Sequence, residues 1–197
     1  GGLGAVFHGK RDGLEFEFSP RDELGRPSFS DDGRFVAFAS DADDLVPGDT
    51  NNATDIFVYD RLTGRFERVS VSSAGEQGRR VNLEFVGFQN NRLNRSPSIS
   101  GDGRFVAFES FAANLVPGDT NDGEDVFIFD RQTRELTRVT DNGVQLTVRR
   151  GGFGEPFADD LKPQISRDGA FVVFQSNDFN LIPGDTQFGG PDVFLFE

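Results

Sequence analysis

The residues best placed to do chemistry in this chain are oxygen donors at short, repeated spacing. Asp49, Asn51 and Asp55 lie in the run DTNNATD. Asp119, Asn121 and Asp125 repeat that spacing, and Asp185, Gln187 and Asp192 follow it with the last acid one residue later. Oxygen side chains at alternate positions, followed by an acid, can converge on Ca²⁺, which takes about 6–8 oxygen ligands in flexible geometry. Calcium is thus the one cofactor the pattern admits, and the second loop is the best furnished for it. The same residues have a plainer use: the preceding Pro-Gly forms a turn, and the Asp and Asn side chains accept hydrogen bonds from loop amides. Both readings stand at this point.

A second recurrence is basic. Lys10-Arg11, Arg79-Arg80 and Arg149-Arg150 each fall in a long connection. Gathered at one end of the molecule they would form a cationic girdle able to hold a carboxylate or phosphate partner, for which Arg offers paired donors. Alternatively they neutralise the protein's own acids. A catalytic assignment finds no support. The single histidine, His8, has no partner motif, and no G-x-S-x-G elbow occurs. The only tyrosine, Tyr59, aligns with Phe129 and Phe196, which makes it a core position rather than a nucleophile. No pair of carboxylates stands out among the 33 acids.

The elements that position these residues are set by internal repetition. PSFSDDGRFVAFAS begins at Pro27, PSISGDGRFVAFES at Pro97 and PQISRDGAFVVFQS at Pro163. DLVPGDTNNATDIFVYDR, NLVPGDTNDGEDVFIFDR and NLIPGDTQFGGPDVFLFE follow in the same order. The units are therefore 27–96, 97–162 and 163–197, the last completed by 1–26 as though a circle had been cut within one unit. Asp32-Gly33, Asp102-Gly103 and Asp168-Gly169 are tight-turn dipeptides. They open strands at Phe35 to Ser40, Phe105 to Ser110 and Phe171 to Ser176. Further strands are expected at Ile56 to Tyr59, Val126 to Phe129 and Val193 to Phe196, with a fourth in RFERVSV and ELTRVT. VNLEFVGF and GLEFEF alternate enough for an extra hairpin or an edge strand. No stretch carries a capped apolar period of 3.6, so helix should be scarce.

FVAF, IFVY, VFIF and VFLF are apolar at successive positions, so both faces of each small sheet must be covered. Antiparallel four-stranded sheets packed face to face around an axis meet that demand: an all-β propeller. Twenty-three Phe with no Trp suit a dry core between blades. The motif P-x-[FI]-S-x-D-G-x-F-V-[AV]-F-x-S followed by D-[IV]-F-[VIL]-[YF] resembles the TolB-like, WD-like propeller repeat over the cores of all three units. The resemblance implies a propeller and often a protein-binding platform. The acidic loops are also similar to the D-x-N-x-D-G loops of calcium-binding propellers, without the full run of acids. Three units fall short of the usual four to eight blades, so either two copies complete a six-bladed ring, the arrangement that the complementary half-units at the ends favour, or the chain is part of a longer propeller.

With 33 acidic and 20 basic residues the net charge is −13, which argues against nucleic acid. No run approaches the ~20 apolar residues of a membrane-spanning helix. Neither Cys nor Met occurs, which excludes disulfides and reads as a processed product, a fragment or a chain without its start residue. The expected role is a non-catalytic interaction or assembly module for a protein partner. The alternatives are the propeller domain of a larger hydrolase or periplasmic translocation system, or a calcium-dependent structural protein outside the cell. A periplasmic or extracellular location follows from the resemblance and the acidic, cysteine-free composition.

Overall fold

Three small antiparallel sheets follow one another along the chain. The computed structural model describes residues 10–11, 14–15, 25–79, 93–120, 123–140, 161–176, 181 and 192–197, and contains no helix among them. Strands β1 (Lys10–Arg11) and β2 (Leu14–Glu15) pair only with each other. The first blade contains β3 (Ser28–Phe29), β4 (Phe35–Ser40), β5 (Asp55–Asp60) and β6 (Arg65–Arg68) in sequential order. The second repeats this as β7 (Asn94–Ile99), β8 (Phe105–Ser110), β9 (Asp125–Asp130) and β10 (Glu135–Arg138). The third has β11 (Gln164–Ile165), β12 (Val172–Ser176) and β13 (Asp192–Phe196).

Registers repeat as closely as the sequence does. Phe35 opposes Asp60 and Ser40 opposes Asp55; in the second blade Phe105 opposes Asp130 and Ser110 opposes Asp125. Only β7 departs, with a register shift between Arg95 and Ser98. Each Asp-Gly turn is locked in the same way. Asp32 Oδ1 accepts from the Ser30 hydroxyl at 2.7 Å and from the Arg34 amide at 2.9 Å, and Asp102 and Asp168 do likewise with Ser100 and Ser166. These bonds, the serine hydroxyl foremost, hold all three carboxyls below the usual range.

Successive apolar positions in each strand cover two faces, and the faces differ. Ala37, Ala39, Ile56 and Val58 of the first blade pack against Val106, Phe108, Phe127 and Phe129 of the second. Ala107 and Val126, on the other face of the second blade, pack against Val172, Phe174 and Phe194 of the third. Each blade thus offers a small aliphatic face forward and a phenylalanine face backward, and stacked rings such as Phe108–Phe127 at 5.8 Å fill the gap. Innermost strands β3, β7 and β11 sit side by side, tied by Ile99 N to Ser28 Oγ (3.1 Å) and Ile165 N to Ser98 Oγ (3.0 Å). This face-to-face packing of antiparallel sheets around their first strands is that of consecutive β-propeller blades.

The third blade departs from the expected pattern in two ways. It shows three strands among the described residues, and the small hairpin β1–β2 is not paired to it there. Its forward face is also open: Val193 and Leu195 are 70% and 60% exposed, whereas the equivalent Ile56 and Val58 are sealed by the second blade.

Candidate functional site

The acidic loops lie where the long segment between the second and third strands of a blade folds back to meet the fourth. In the first blade Asp49 and Asp55 converge on one cation, the guanidinium of Arg68. Arg68 Nη1 lies 2.9 Å from Asp49 Oδ1 and 3.4 Å from Asp55 Oδ2, with all three side chains largely buried. Asn51 is brought there as expected, but as a donor: its Nδ2 binds Asp55 Oδ2 at 2.9 Å, while its Oδ1 accepts from the Ala53 amide. Ser70 Oγ donates to Asp55 Oδ1 at 2.5 Å, and Asn94 reaches the same oxygen from the second blade at 3.3 Å. Gln77 accepts from the Thr50 and Asn51 amides and from Arg68, and donates to the Gly48 carbonyl. Burial pushes the Asp55 carboxyl up to about 6, with its hydrogen bonds opposing the shift, and raises that of Asp49 for the same reason.

The second blade repeats this latch. Arg138 Nη1 is 3.0 Å from Asp119 and 3.8 Å from Asp125, and Thr140 replaces Ser70 as hydroxyl donor to Asp125. Asn121 lies outside the described residues, as do Asp185 and Gln187. Asp192 stands on β13, opposite Ser176, and is exposed. Among the described residues no group of three or more His, Cys, Asp or Glu side chains is placed to hold a metal ion. The arrangement described is a clamp of two carboxyls on one guanidinium that ties loop to sheet. Arg68 and Arg138 do not stand out in the sequence, although the R-V-[ST] at the end of each fourth strand recurs in step with the loop acids.

Of the basic pairs, Lys10, Arg11 and Arg79 lie among the described residues. Arg79 is exposed, its backbone amide bound to Asn114 Oδ1 at 2.6 Å. Lys10 and Arg11 form β1, opposite Glu15 and Leu14. Arg80, Arg149 and Arg150 lie outside the described residues.

A second buried charge group, also unforeseen, occurs in the second blade alone. Arg95 Nε binds Glu109 Oε2 at 2.6 Å and Nη2 binds Glu124, while Glu109 Oε1 accepts from the Lys162 amide at 2.5 Å. Burial, together with the charge of Glu109, drives the Glu124 carboxyl well above its ordinary value. The corresponding residues of the first blade are Gly25, Ala39 and Thr54, so no periodic pattern announced the trio.

At the Asp-Gly turns the blades meet around their axis and leave an open groove lined by Asp31, Asp102, Arg167, Asp168 and Phe171. The Asp31 amide donates to the Gly101 carbonyl at 2.9 Å, and the Gly101 amide donates to the Arg167 carbonyl at 2.8 Å. Arg167 Nε also bonds Asp31 Oδ2 across the second blade. A side chain at position 101 would block that pair, since a Cβ there would lie 2.7 Å from Arg167 Cγ.

The fold and its turn-lined face define the class: a β-propeller segment. Comparison with known proteins finds no matching family model and no matching curated protein. Solved structures do match, and the chain is similar to TolB of Acinetobacter baumannii at 19% identity and a TM-score of 0.47, covering 87% of this chain and 29% of TolB. It is similar to the propeller domain of the Trilobed protease of Pyrococcus furiosus at 16% identity and a TM-score of 0.43, over 88% of this chain and 40% of that domain. The tricorn protease matches at 16% identity and a TM-score of 0.43, over 84% of this chain and 12% of its own. The chain thus spans less than a third of the TolB structure it matches.

Proposed function

We propose that this chain is a non-catalytic β-propeller module that binds a protein partner through the loops and turns at one face of the ring, with two copies completing that ring. The observation that carries the reading is the division of the polar groups. The acids of the first two loops are engaged by Arg68 and Arg138. The Asp-Gly turn face, by contrast, keeps Asp31, Asp32, Asp102, Arg167 and Asp168 open to solvent. Surfaces of that kind, held by a rigid scaffold, are where binding residues concentrate. A periplasmic or extracellular setting, suggested by the repeat motif and composition, forms part of the same reading.

The test is retention of a partner from an extract of the source cells, with Arg167→Glu, a change at an exposed side chain outside the turn-locking bonds, as the comparison. The reading expects a defined protein to be retained by the wild type and lost by the variant, whose melting midpoint stays within a few degrees. Retention indifferent to the variant overturns the assigned face, and turnover of ester, peptide or glycoside substrates by the purified chain overturns the non-catalytic role.

A further inference from the structure

We infer that two copies of this chain associate head to tail, the Phe171 ring of one seating over Gly33 and beneath Arg61 of the other. This rests on the two-copy ring proposed above and names the contact that would build it.

The chain already makes a contact of this shape twice within itself. Phe35 of the first blade lies over Gly103 of the second, so close that a Cβ at 103 would fall 2.3 Å from the ring; Phe105 lies over Gly169 of the third in the same way, at 2.4 Å. Above Phe35 stands Arg131, its guanidinium carbon 4.4 Å from the ring centroid and its Nη1 hydrogen-bonded to the Gly103 carbonyl at 2.5 Å. Glycine, arginine and the intervening slot form a socket, and phenylalanine is the plug.

Among the described residues one plug and one socket remain unmatched. Phe171 aligns with Phe35 and Phe105, yet it is 40% exposed. Gly33 aligns with Gly103 and has the same left-handed φ, +65° against +74°. Arg61 Nη1 donates to the Gly33 carbonyl at 2.7 Å, as Arg131 does to that of Gly103. Among the described residues only that Nη1 comes within 4 Å of where a Gly33 Cβ would sit.

The surroundings match as well. Beside the plug lies the open aliphatic face of the third blade, with Val193 and Leu195. Beside the socket, Phe29 is 60% exposed where its counterpart Ile99 is 5% exposed under the first blade. Phe38 and Phe57, farther out on that backward face, are already buried, so the contact is confined to the inner half around the axis. The backbone agrees too: the axial series in which Asp31 N bonds the Gly101 carbonyl and Gly101 N the Arg167 carbonyl would set the Arg167 amide beside the Asp31 carbonyl of the second copy. The occupant is a second copy because both halves of one interface stand on the same molecule, in a shape whose phenylalanine-on-glycine part the chain uses twice internally and whose full socket with arginine it uses once. Such a heterologous contact closes when its rotation allows, and three blades plus three give six, within the usual four to eight.

Light scattering on the 197-residue chain is expected to give twice 21.7 kDa. Phe171→Asp and, independently, Arg61→Glu are expected to weaken self-association by about 30-fold or more, as loss of an interface anchor does, each with an unchanged far-UV dichroism spectrum. The chain has no cysteine, so a mixture of Phe171→Cys and Arg61→Cys should form one disulfide-linked pair on oxidation, and neither variant alone should. A monomeric wild type overturns both this contact and the two-copy ring. A dimer that neither substitution weakens, or that fails to cross-link, overturns the contact and leaves the ring standing. Masses that climb past two copies overturn closure.

Discussion

Replacing Gly103 with alanine tests the packing of one blade on the next. Gly103 has φ +74°, and a Cβ there would lie 2.3 Å from Phe35 Cδ2 and 3.0 Å from Cε2 and Cγ. Two costs follow. A left-handed alanine costs about 1–2 kcal/mol from backbone sterics alone. The ring must also move out of a slot where Arg131 stands over it and Arg34 lies 4.6 Å from the centroid, losing about 1–2 kcal/mol of packing and cation–π contact. The sum is about 3 kcal/mol. Gly64 supplies the control: its φ is +71°, but nothing lies within 4 Å of its missing Cβ, so Gly64→Ala should cost only the first component. Urea unfolding followed by far-UV dichroism measures both. In a Phe35→Ala background the penalty for Gly103→Ala should fall to that for Gly64→Ala. Equal costs for the two glycines in the wild type, or a penalty at 103 unchanged by removing the ring, would refute the reasoning.

Other outcomes follow from the charged groups. Arg68→Ala strands buried Asp49 and Asp55 and should cost about 3–5 kcal/mol in the same unfolding assay. Because Arg68 and Arg138 fill the first two acidic clamps, melting with EDTA and with added calcium should give one midpoint; a calcium-dependent rise that EDTA reverses would favour the metal reading. Asp55 has its carboxyl pushed up to about 6 against a reference of 3.8, so its contribution to stability is full below about 4 and is lost as pH rises towards 6. The rise in melting midpoint on going from pH 7 to pH 5 should therefore be smaller in Asp55→Asn than in the wild type. Asp60 and Asp130 run the other way. Their forks to Arg34 and Arg104 hold both carboxyls well below 3.8, so their contribution is present above that value and lost on further acidification. Arg34→Met should flatten the acid arm of the stability curve.

The blades were legible because three copies of one pattern average out local ambiguity. Phe35 to Ser40 and Phe105 to Ser110 coincide with β4 and β8, and the doubled apolar texture of IFVY and VFIF reports correctly that those sheets are covered on both faces. The third blade was less so: its strands are present, but covering its forward face depends on contacts a single chain does not supply among the described residues. At the acidic loops the sequence marks which oxygens converge and not what they converge on. The cation is a side chain from β6 or β10, distant in sequence and paired only by the fold. The Arg95–Glu109–Glu124 trio escaped for a different reason: it occurs in one repeat only, so the periodicity that made the rest readable hid it.

Because residue 101 carries no side chain, the outer two blades touch directly over the middle one through Asp31 and Arg167. In a linear array of repeats each unit senses only its neighbours, and stability can be written as a chain of local terms. Here a next-nearest term exists. Unfolding should then spread less like a zipper opening from one end and more like a single cooperative event, with damage to the last blade felt in the first.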